Sequence, residues 1–187
     1  MHKIGVAFDI LEDGRVVPKG YKKVFGLLIF DVNMDFTRNA RWVLDVHNTP
    51  SPESSTHARV VPRESVRIAI NYAASNEVDV FEADIKSACL QDPTSEKNCI
   101  ICGPDFSLEN IGKAALVTRA VYGGKAAHRD FRNYLRSCMS YLDFKPCLAD
   151  PDAWMRPAMK ANVMEHCEYV LLYTDDALVI SKEAETC

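Results

Sequence analysis

The sequence contains neither a long apolar run nor a signal-peptide profile. Its longest apolar run, Val24 to Phe30, is far too short to cross a bilayer. Near the N-terminus, Asp9, Glu12 and Asp13 interrupt every apolar stretch, which argues against a secretory leader. We therefore expect an intracellular protein without a membrane partner.

The sequence also lacks the ligands of a structural zinc site. Its seven cysteines are an odd number, and without an export signal we expect reduced thiols. Cys99 and Cys102 have CxxC spacing, but no second CxxC or nearby histidine pair completes four ligands. Both residues between them are isoleucine, so we predict buried strand cysteines.

An overall excess of basic residues is missing as well. The formal net charge is −4, whereas phosphate neutralisation favours a basic protein. The charge is unevenly distributed: residues 112–136 contain six basic residues and one acid, and residues 150–187 contain three basic and eight acidic residues. The acidic end does not exclude a nucleic-acid partner, because bound cations would offset part of its charge.

What the sequence does contain is a pair of adjacent acids between two strand-like segments. Leu171 to Tyr173 and Ala177 to Ile180 are rich in strand formers, and Thr174-Asp175-Asp176 between them suits a turn. An isolated Asp-Asp pair is usually a solvated hairpin tip, so a third carboxylate is needed for a functional interpretation. Buried between strands, such acids would repel one another unless a cation neutralised them.

The third carboxylate is predicted to be Asp84, at the end of a short strand from Val78. Asp79 and Glu82 in the same strand are rivals, and residues 87–90 after it are predicted to turn into a helix. Three acids at neighbouring strand ends can hold two Mg²⁺ ions, which prefer oxygen ligands. In phosphoryl transfer such a metal pair activates the attacking oxygen and stabilises the leaving one.

Several blocks of this sequence resemble those of one family. Tyr173-Thr174-Asp175-Asp176 resembles the Tyr-x-Asp-Asp motif of reverse transcriptases. The segments 39–43, 83–90, 120–131 and 150–155 are similar, in the same order, to blocks of the copia-type LTR-retrotransposon branch. Any one block is weak, but five in order cover the chain from about Pro18 to Ser181.

The resemblance implies an α+β fold with reverse-transcriptase-like fingers and palm, in which an antiparallel palm sheet packs on helices and the thumb is absent. We expect one partial domain over 1–187, with a fingers-like hairpin region at about 18–60 and a palm-like core at about 61–181 that includes interleaved fingers segments. Within the fingers-like region, two strands are predicted between Lys22 and Val43 around a turn at 31–35.

The implied activity is RNA-directed DNA polymerisation, a nucleotidyl transfer with two Mg²⁺ ions, or Mn²⁺ in their place. Its partners would be an RNA or DNA template with primer, deoxynucleoside triphosphates, and the rest of the pol polyprotein, whose thumb and RNase H are absent here. The implied location is a cytoplasmic virus-like particle. The alternative is a catalytically inactive retroelement remnant that at most binds nucleic acid.

The resemblance also implies roles for individual residues. Asp84, Asp175 and Asp176 would be the catalytic metal ligands, and Tyr173 would support the primer end. The nucleotide-binding residues would be Arg41, Cys89, Tyr122 and Gly123. Cys89 stands where the family usually has an aromatic under the incoming sugar, and Ala126-Ala127-His128 replaces Gln-Ala-Pro. These departures fit either a divergent lineage or a decaying copy.

Two amphipathic helices are predicted from helical spacing. In the first, near Arg63 to Asn76, the core-facing residues would be Val66, Ala69, Ile70 and Ala73. In the second, the buried stripe would be Ala127, Phe131, Tyr134, Leu135, Cys138 and Leu142. A separate basic stripe of Lys125, Arg129, Arg132 and Arg136 is interpreted either as a rail for template or primer phosphates or as a solvated helix face.

Overall fold

The structure, a computed structural model, describes residues 7–32, 34, 36–46, 60–159 and 165–182. The chain forms two compact units, one of residues 1–57 and 87–131 and the other of residues 58–86 and 132–187. The predicted boundary between fingers-like and palm-like regions lay at about 60, and residues 87–131 return to the first unit. Among the described residues no helix is both long and apolar enough to cross a membrane.

The first unit contains a mixed four-stranded sheet and a two-stranded hairpin. The sheet has the order β1-β7-β6-β2, in which β2 and β6 are parallel and the other pairs antiparallel. Strands β3 and β4 pair antiparallel along their whole length. The strands are β1 (Phe8–Ile10), β2 (Lys22–Lys23), β3 (Phe25–Val32), β4 (Arg38–Asp45), β6 (Asn98–Ile101) and β7 (Ala114–Val117).

The β3–β4 hairpin confirms the two strands predicted between Lys22 and Val43, and two residues of its predicted turn, Asn33 and Asp35, lie outside the described residues. Cys99 and Cys102 are buried at and just beyond β6, as predicted, with 5% and 2% exposure. Burial raises the pKa of both thiols, which suits apolar packing and not thiolate chemistry.

Three aromatic rings organise the core of this unit. Trp42 meets Phe8 edge to face at 4.9 Å between ring centroids, and Phe106 packs against both. Gly26 in β3 makes room for the indole, because a Cβ at this position would overlap the Trp42 ring. Glycine at position 26 therefore lets the Trp42 ring lie over β3 while it packs against the core.

The second unit is a five-stranded antiparallel sheet with a helix on each face. Its strand order is β5-β11-β10-β9-β8. Its strands are β5 (Asp79–Asp84), β8 (Lys145–Pro146), β9 (Ala153–Met159), β10 (Glu165–Tyr173) and β11 (Asp176–Ser181), and the helices are α1 (Arg63–Asn76) and α2 (Ala127–Tyr141), the latter beginning in the first unit.

Alternation along the strands divides their apolar side chains between the two helices. Leu171 and Ile180, both at most 1% exposed, pack with Ala69 and Ala73 of α1. Val170 and Leu172, the neighbours of Leu171 in the sequence, pack on the other face of the sheet. Met139 of α2 and Trp154 belong to the same cluster. The central strands β10 and β11 are thus buried on both faces. This packing holds the hairpin that they form rigidly.

The limits of α1 are those that the spacing predicted, and Ala69 and Ala73 are buried as expected. Ile70, however, is 48% exposed, and Tyr72 packs on the core instead. The α2 stripe was also too broad: Tyr134 and Leu142 are 40% and 49% exposed, and the unpredicted Met139 is buried. Helical spacing identifies the apolar sector, but the width of the sector depends on the surface it meets.

The short helix predicted at 87–90 is a single 3-10 turn at Ala88–Gln91. The preceding Ser87 has a left-handed backbone with φ 56°, which prevents a continuous α-helix from starting directly after the strand.

Gly26→Ala should lower the free energy of unfolding by about 1–3 kcal/mol, the usual cost of overpacking, because its methyl group would overlap Trp42. Denaturant unfolding measures the effect. Gly103→Ala is the matched control, since a Cβ there meets nothing within 4 Å. Equal stability of the two variants would contradict the tight Gly26–Trp42 contact.

Candidate active site

The predicted acidic hairpin is present at the joint of β10 and β11. Tyr173 and Asp176 face each other as the last pair of the ladder, so Thr174 and Asp175 form a two-residue turn. Asp175 is half-buried in the turn, and Asp176 is exposed as the first residue of β11. The apolar strands on either side anchor this polar tip in the sheet.

Asp84 is placed beside this turn by the pairing of β5 with β11. It lies directly opposite Asp176. In the sequence, 91 positions separate Asp84 from Asp175, the neighbour of Asp176 in the turn. The Ile85 N–H donates to the Asp175 carbonyl oxygen at 2.8 Å, which extends the ladder by one further hydrogen-bonded pair. Since such pairs alternate, Asp84 and Asp176 form a non-hydrogen-bonded pair, the kind in which facing side chains come closest.

This register decides between the rival acids of β5. Asp79 faces Ser181 at the far end of the strand, and Glu82 faces Leu178. Only Asp84 faces another carboxylate. The choice of Asp84 from sequence patterns therefore agrees with the backbone geometry.

The arrangement has an electrostatic cost that a cation would remove. Like charges directly opposite in a sheet destabilise it, typically by a few tenths of a kcal/mol to about 1 kcal/mol. Within the described residues no three His, Cys, Asp or Glu side chains are already gathered into a metal-binding cluster. Asp84 and Asp176 are exposed, however, so their side chains can change rotamer while the ladder holds their backbones. This all-oxygen donor set fits a hard divalent cation.

Thr174, in the turn, has a left-handed backbone with φ 57°. Positive φ is unusual for a β-branched residue and costs of order 1 kcal/mol or more. The hairpin thus tolerates strain at the residue next to the carboxylates. The composition of the turn does not predict this conformation, because Thr is an ordinary turn residue and positive φ depends on the closure of the hairpin.

Tyr173 shares a sheet face with the facing acids. It pairs with Asp176, which pairs in turn with Asp84, so the three side chains form one row across three strands. The ring is 53% exposed although the preceding residues of β10 are buried. It is available to a ligand that approaches the carboxylates.

Two of the predicted nucleotide-binding residues pack against β4 in the first unit. The Leu44 N–H donates to the Tyr122 carbonyl oxygen at 2.8 Å. Gly123 has φ +88°, and a Cβ there would overlap the Leu44 backbone. The close approach therefore requires glycine. Arg41 is exposed on the face of β4 that also carries Val43, whose side chain meets the Gly123 position.

The remaining nucleotide-binding candidate, Cys89, is only 3% exposed. It clusters with Ala120 and Ala127, and Tyr122 packs against the same cluster. The structure thus brings Cys89 and Tyr122 together within the first unit, with the thiol in an apolar setting.

The predicted basic stripe does not form a row of uncommitted cations. Arg129 contacts Asp130 at 2.7 Å and the Ser95 hydroxyl at 2.7 Å. Arg132 pairs with Asp152, and Arg136 donates to the Pro151 carbonyl oxygen at 3.0 Å. Lys125 is half-buried just before α2. These arginines bind protein groups, and their role as template or primer ligands stays a prediction.

The Arg132–Asp152 pair was missed because its members lie 20 positions apart and belong to two different predicted features. The available signal was Asp150-Pro151-Asp152, two acids directly before an apolar strand. Acids in such a position are buried only when paired, and the nearby helix arginines are natural partners.

The sequence of the chain is similar to that of a retrotransposon polyprotein. The chain is 28% identical over 127 residues, or 66% of its length, to a Retrovirus-related Pol polyprotein from transposon TNT 1-94 of Nicotiana tabacum. The match spans 9% of that polyprotein. No family model matches the chain. This similarity supports a retrotransposon origin.

Removing one of the facing charges should stabilise the metal-free protein. We expect Asp84→Asn to raise the free energy of unfolding by about 0.5 kcal/mol at low ionic strength, because it ends the repulsion with Asp176. Denaturant unfolding with a chelator present measures this. Asp79→Asn, at the other end of β5 and opposite Ser181, should produce no gain. An equal gain at both positions would contradict a specific repulsion.

Proposed function

We propose that this chain is a fingers-and-palm portion of a copia-type retrotransposon reverse transcriptase, an RNA-directed DNA polymerase. The observation that carries the proposal is the pairing of Asp84 with Asp176 beside Asp175. The antiparallel register places the backbones of these acids side by side at the end of the sheet, although their side chains do not form a metal-binding cluster among the described residues. The similarity to a retrotransposon polyprotein supports the retroelement origin that this proposal includes.

Asp84, Asp175 and Asp176 would hold two divalent cations, which supply activation of a primer 3′-hydroxyl and neutralisation of charge on the triphosphate. The Ile85–Asp175 hydrogen bond and the β5–β11 ladder limit backbone movement, so the three carboxylates would hold the cations in a defined arrangement. Tyr173, exposed in the same row, supports the primer end by ring contact.

Arg41 is proposed to bind the triphosphate. Its guanidinium suits bidentate contact with phosphate oxygens, and its position on β4 is exposed. Tyr122 and Gly123 hold the adjacent backbone of β4 through Leu44, so they support Arg41 as well as being candidates for nucleotide contact. Cys89, buried beneath Tyr122, contributes through packing.

A second candidate function is a catalytically inactive remnant that at most binds nucleic acid. The departures at Cys89 and at Ala126-Ala127-His128 favour it, because supporting residues have changed while the acids remain. Hydrogen bonds to protein groups occupy three basic side chains: Arg129, Arg132 and Arg136. This weakens the case that such a remnant binds nucleic acid through the basic stripe.

Metal binding tests the carboxylate site without requiring turnover. Mg²⁺ should raise the unfolding temperature of the chain, by an amount that grows with the logarithm of its concentration. The rise should disappear in Asp175→Asn and persist in Asp79→Asn. A rise that is identical in all three proteins would mean that the ion binds elsewhere and would contradict the carboxylate site.

Polymerisation is tested by primer extension on an RNA template with Mg²⁺. Asp175→Asn should lower the rate by at least about 100-fold, since loss of a metal ligand removes several kcal/mol of transition-state stabilisation. Extension should be weak, because the chain spans a small part of the polyprotein that it matches, and it should increase when the following pol segments are supplied in one polypeptide. Mg²⁺ binding without extension in both polypeptides would favour the inactive remnant.

A further inference from the structure

A buried ion pair joins α2 to the segment just before β9. The Arg132 Nε donates to the Asp152 Oδ1 at 2.8 Å, and its Nη2 contacts the same oxygen at 2.5 Å. The Asp152 side chain is 2% exposed and that of Arg132 is 23% exposed. Such a pair costs desolvation energy, so its presence is weak evidence for stability and calls for another explanation.

The segment that carries Asp152 is held at further points. The Asp150 Oδ1 accepts a hydrogen bond from the Asp152 N–H at 3.1 Å. Arg136, one helical turn after Arg132, donates to the Pro151 carbonyl oxygen and lies 5.2 Å from the Trp154 ring centroid. Two arginines of one helix therefore hold Pro151, Asp152 and Trp154.

The segment that Arg132 and Arg136 bind also contacts the strand that leads into the carboxylate turn. The Leu172 N–H donates to the Asp152 carbonyl oxygen at 3.0 Å, and the Leu172 carbonyl oxygen accepts from the Val61 N–H at 3.2 Å. Leu172 is three residues before Asp175. Asp152 thus fixes β10 from one side, while Ile85 fixes the Asp175 backbone from the other.

A comparable pair exists at the opposite end of the same sheet. Arg156 of β9 contacts Glu168 of β10 at 2.7 Å, and Ser181 donates a short hydrogen bond to that carboxylate. Burial alone would raise the pKa of Glu168, but the hydrogen bonds from Ser181 and Arg156 lower it overall. This pair is similar in chemistry and burial but is remote from the turn, which makes it a natural comparison.

We propose that Arg132 and Asp152 are positioning residues for the carboxylate hairpin: the ion pair fixes Asp152, whose carbonyl oxygen holds Leu172 and so sets the place of Asp175. The inference rests on the proposed function, in which the hairpin binds divalent cations. It gives a role to helix arginines that the sequence suggested as phosphate ligands. Groups that hydrogen-bond a metal ligand directly usually change metal affinity by 10- to 100-fold when removed, and Arg132, which acts through Asp152 and Leu172, is expected at the lower end of that range.

The test compares Arg132→Gln with Arg156→Gln in the full chain. Tb³⁺ is the metal probe, and its affinity is measured by luminescence titration. Arg132→Gln should weaken Tb³⁺ binding by about tenfold, and Arg156→Gln should leave it within about twofold. Amide hydrogen exchange provides the second readout: Arg132→Gln should accelerate exchange at Leu172 and Ile85, whereas Arg156→Gln should accelerate it at the other end of the sheet.

The outcomes separate the two proposals. If wild type and Asp176→Asn bind Tb³⁺ equally, the metal-binding function fails, while exchange at Leu172 still decides whether Arg132 positions the hairpin. If Arg132→Gln changes neither readout, or if Arg156→Gln weakens Tb³⁺ as much, the positioning role is overturned. Should Arg132→Gln fail to fold, Arg132→Lys takes its place, since it keeps the charge but loses the two-nitrogen contact. Unchanged Tb³⁺ affinity in folded Arg132→Lys would also overturn it.

Discussion

Two aspartates of like charge, Asp84 and Asp176, are held opposite each other by the hydrogen-bonded register of β5 and β11. The sheet maintains this unfavourable contact because the neighbouring pairs of the same ladder bury apolar groups, among them Ile180, which is fully buried. A slip of one residue would relieve the repulsion but would turn every side chain of the strand to the wrong face. The facing position of the two aspartates is therefore fixed by the register of the strands.

The rest of the second unit can be understood as support for this contact. Helices α1 and α2 cover opposite faces of β10 and β11, so neither strand can rotate. Backbone hydrogen bonds from Ile85 and Asp152 reach the hairpin from its two sides. Arg132 connects the second of these contacts to α2. These contacts would keep the carboxylates in a defined geometry, as the proposed two-metal function would need.

The charge distribution gains a structural meaning in this arrangement. Among the basic residues of 112–136, three arginines bind carboxylate, hydroxyl or carbonyl oxygens of the protein. Part of the acidity after residue 150 is neutralised within the fold in the same way, by the pairs at Asp152 and Glu168. Among the described residues no ion pair includes the carboxylates of the turn, and a bound cation would supply the missing positive charge.

The sequence by itself determined the local elements: strand formers around Asp175 and Asp176 defined the hairpin, and the spacing of Ala69 and Ala73 defined α1. These depend on interactions within a few residues, which periodicity records directly. Only the tertiary structure decided that Asp84, and not Asp79 or Glu82, faces Asp176, that Ile70 is exposed, and that Arg132 pairs with Asp152. Those outcomes depend on strand register and on which surface a helix meets. Such long-range choices are set by the packing of distant segments, so the sequence patterns could favour Asp84 as a candidate but could not give the strand register that pairs it with Asp176.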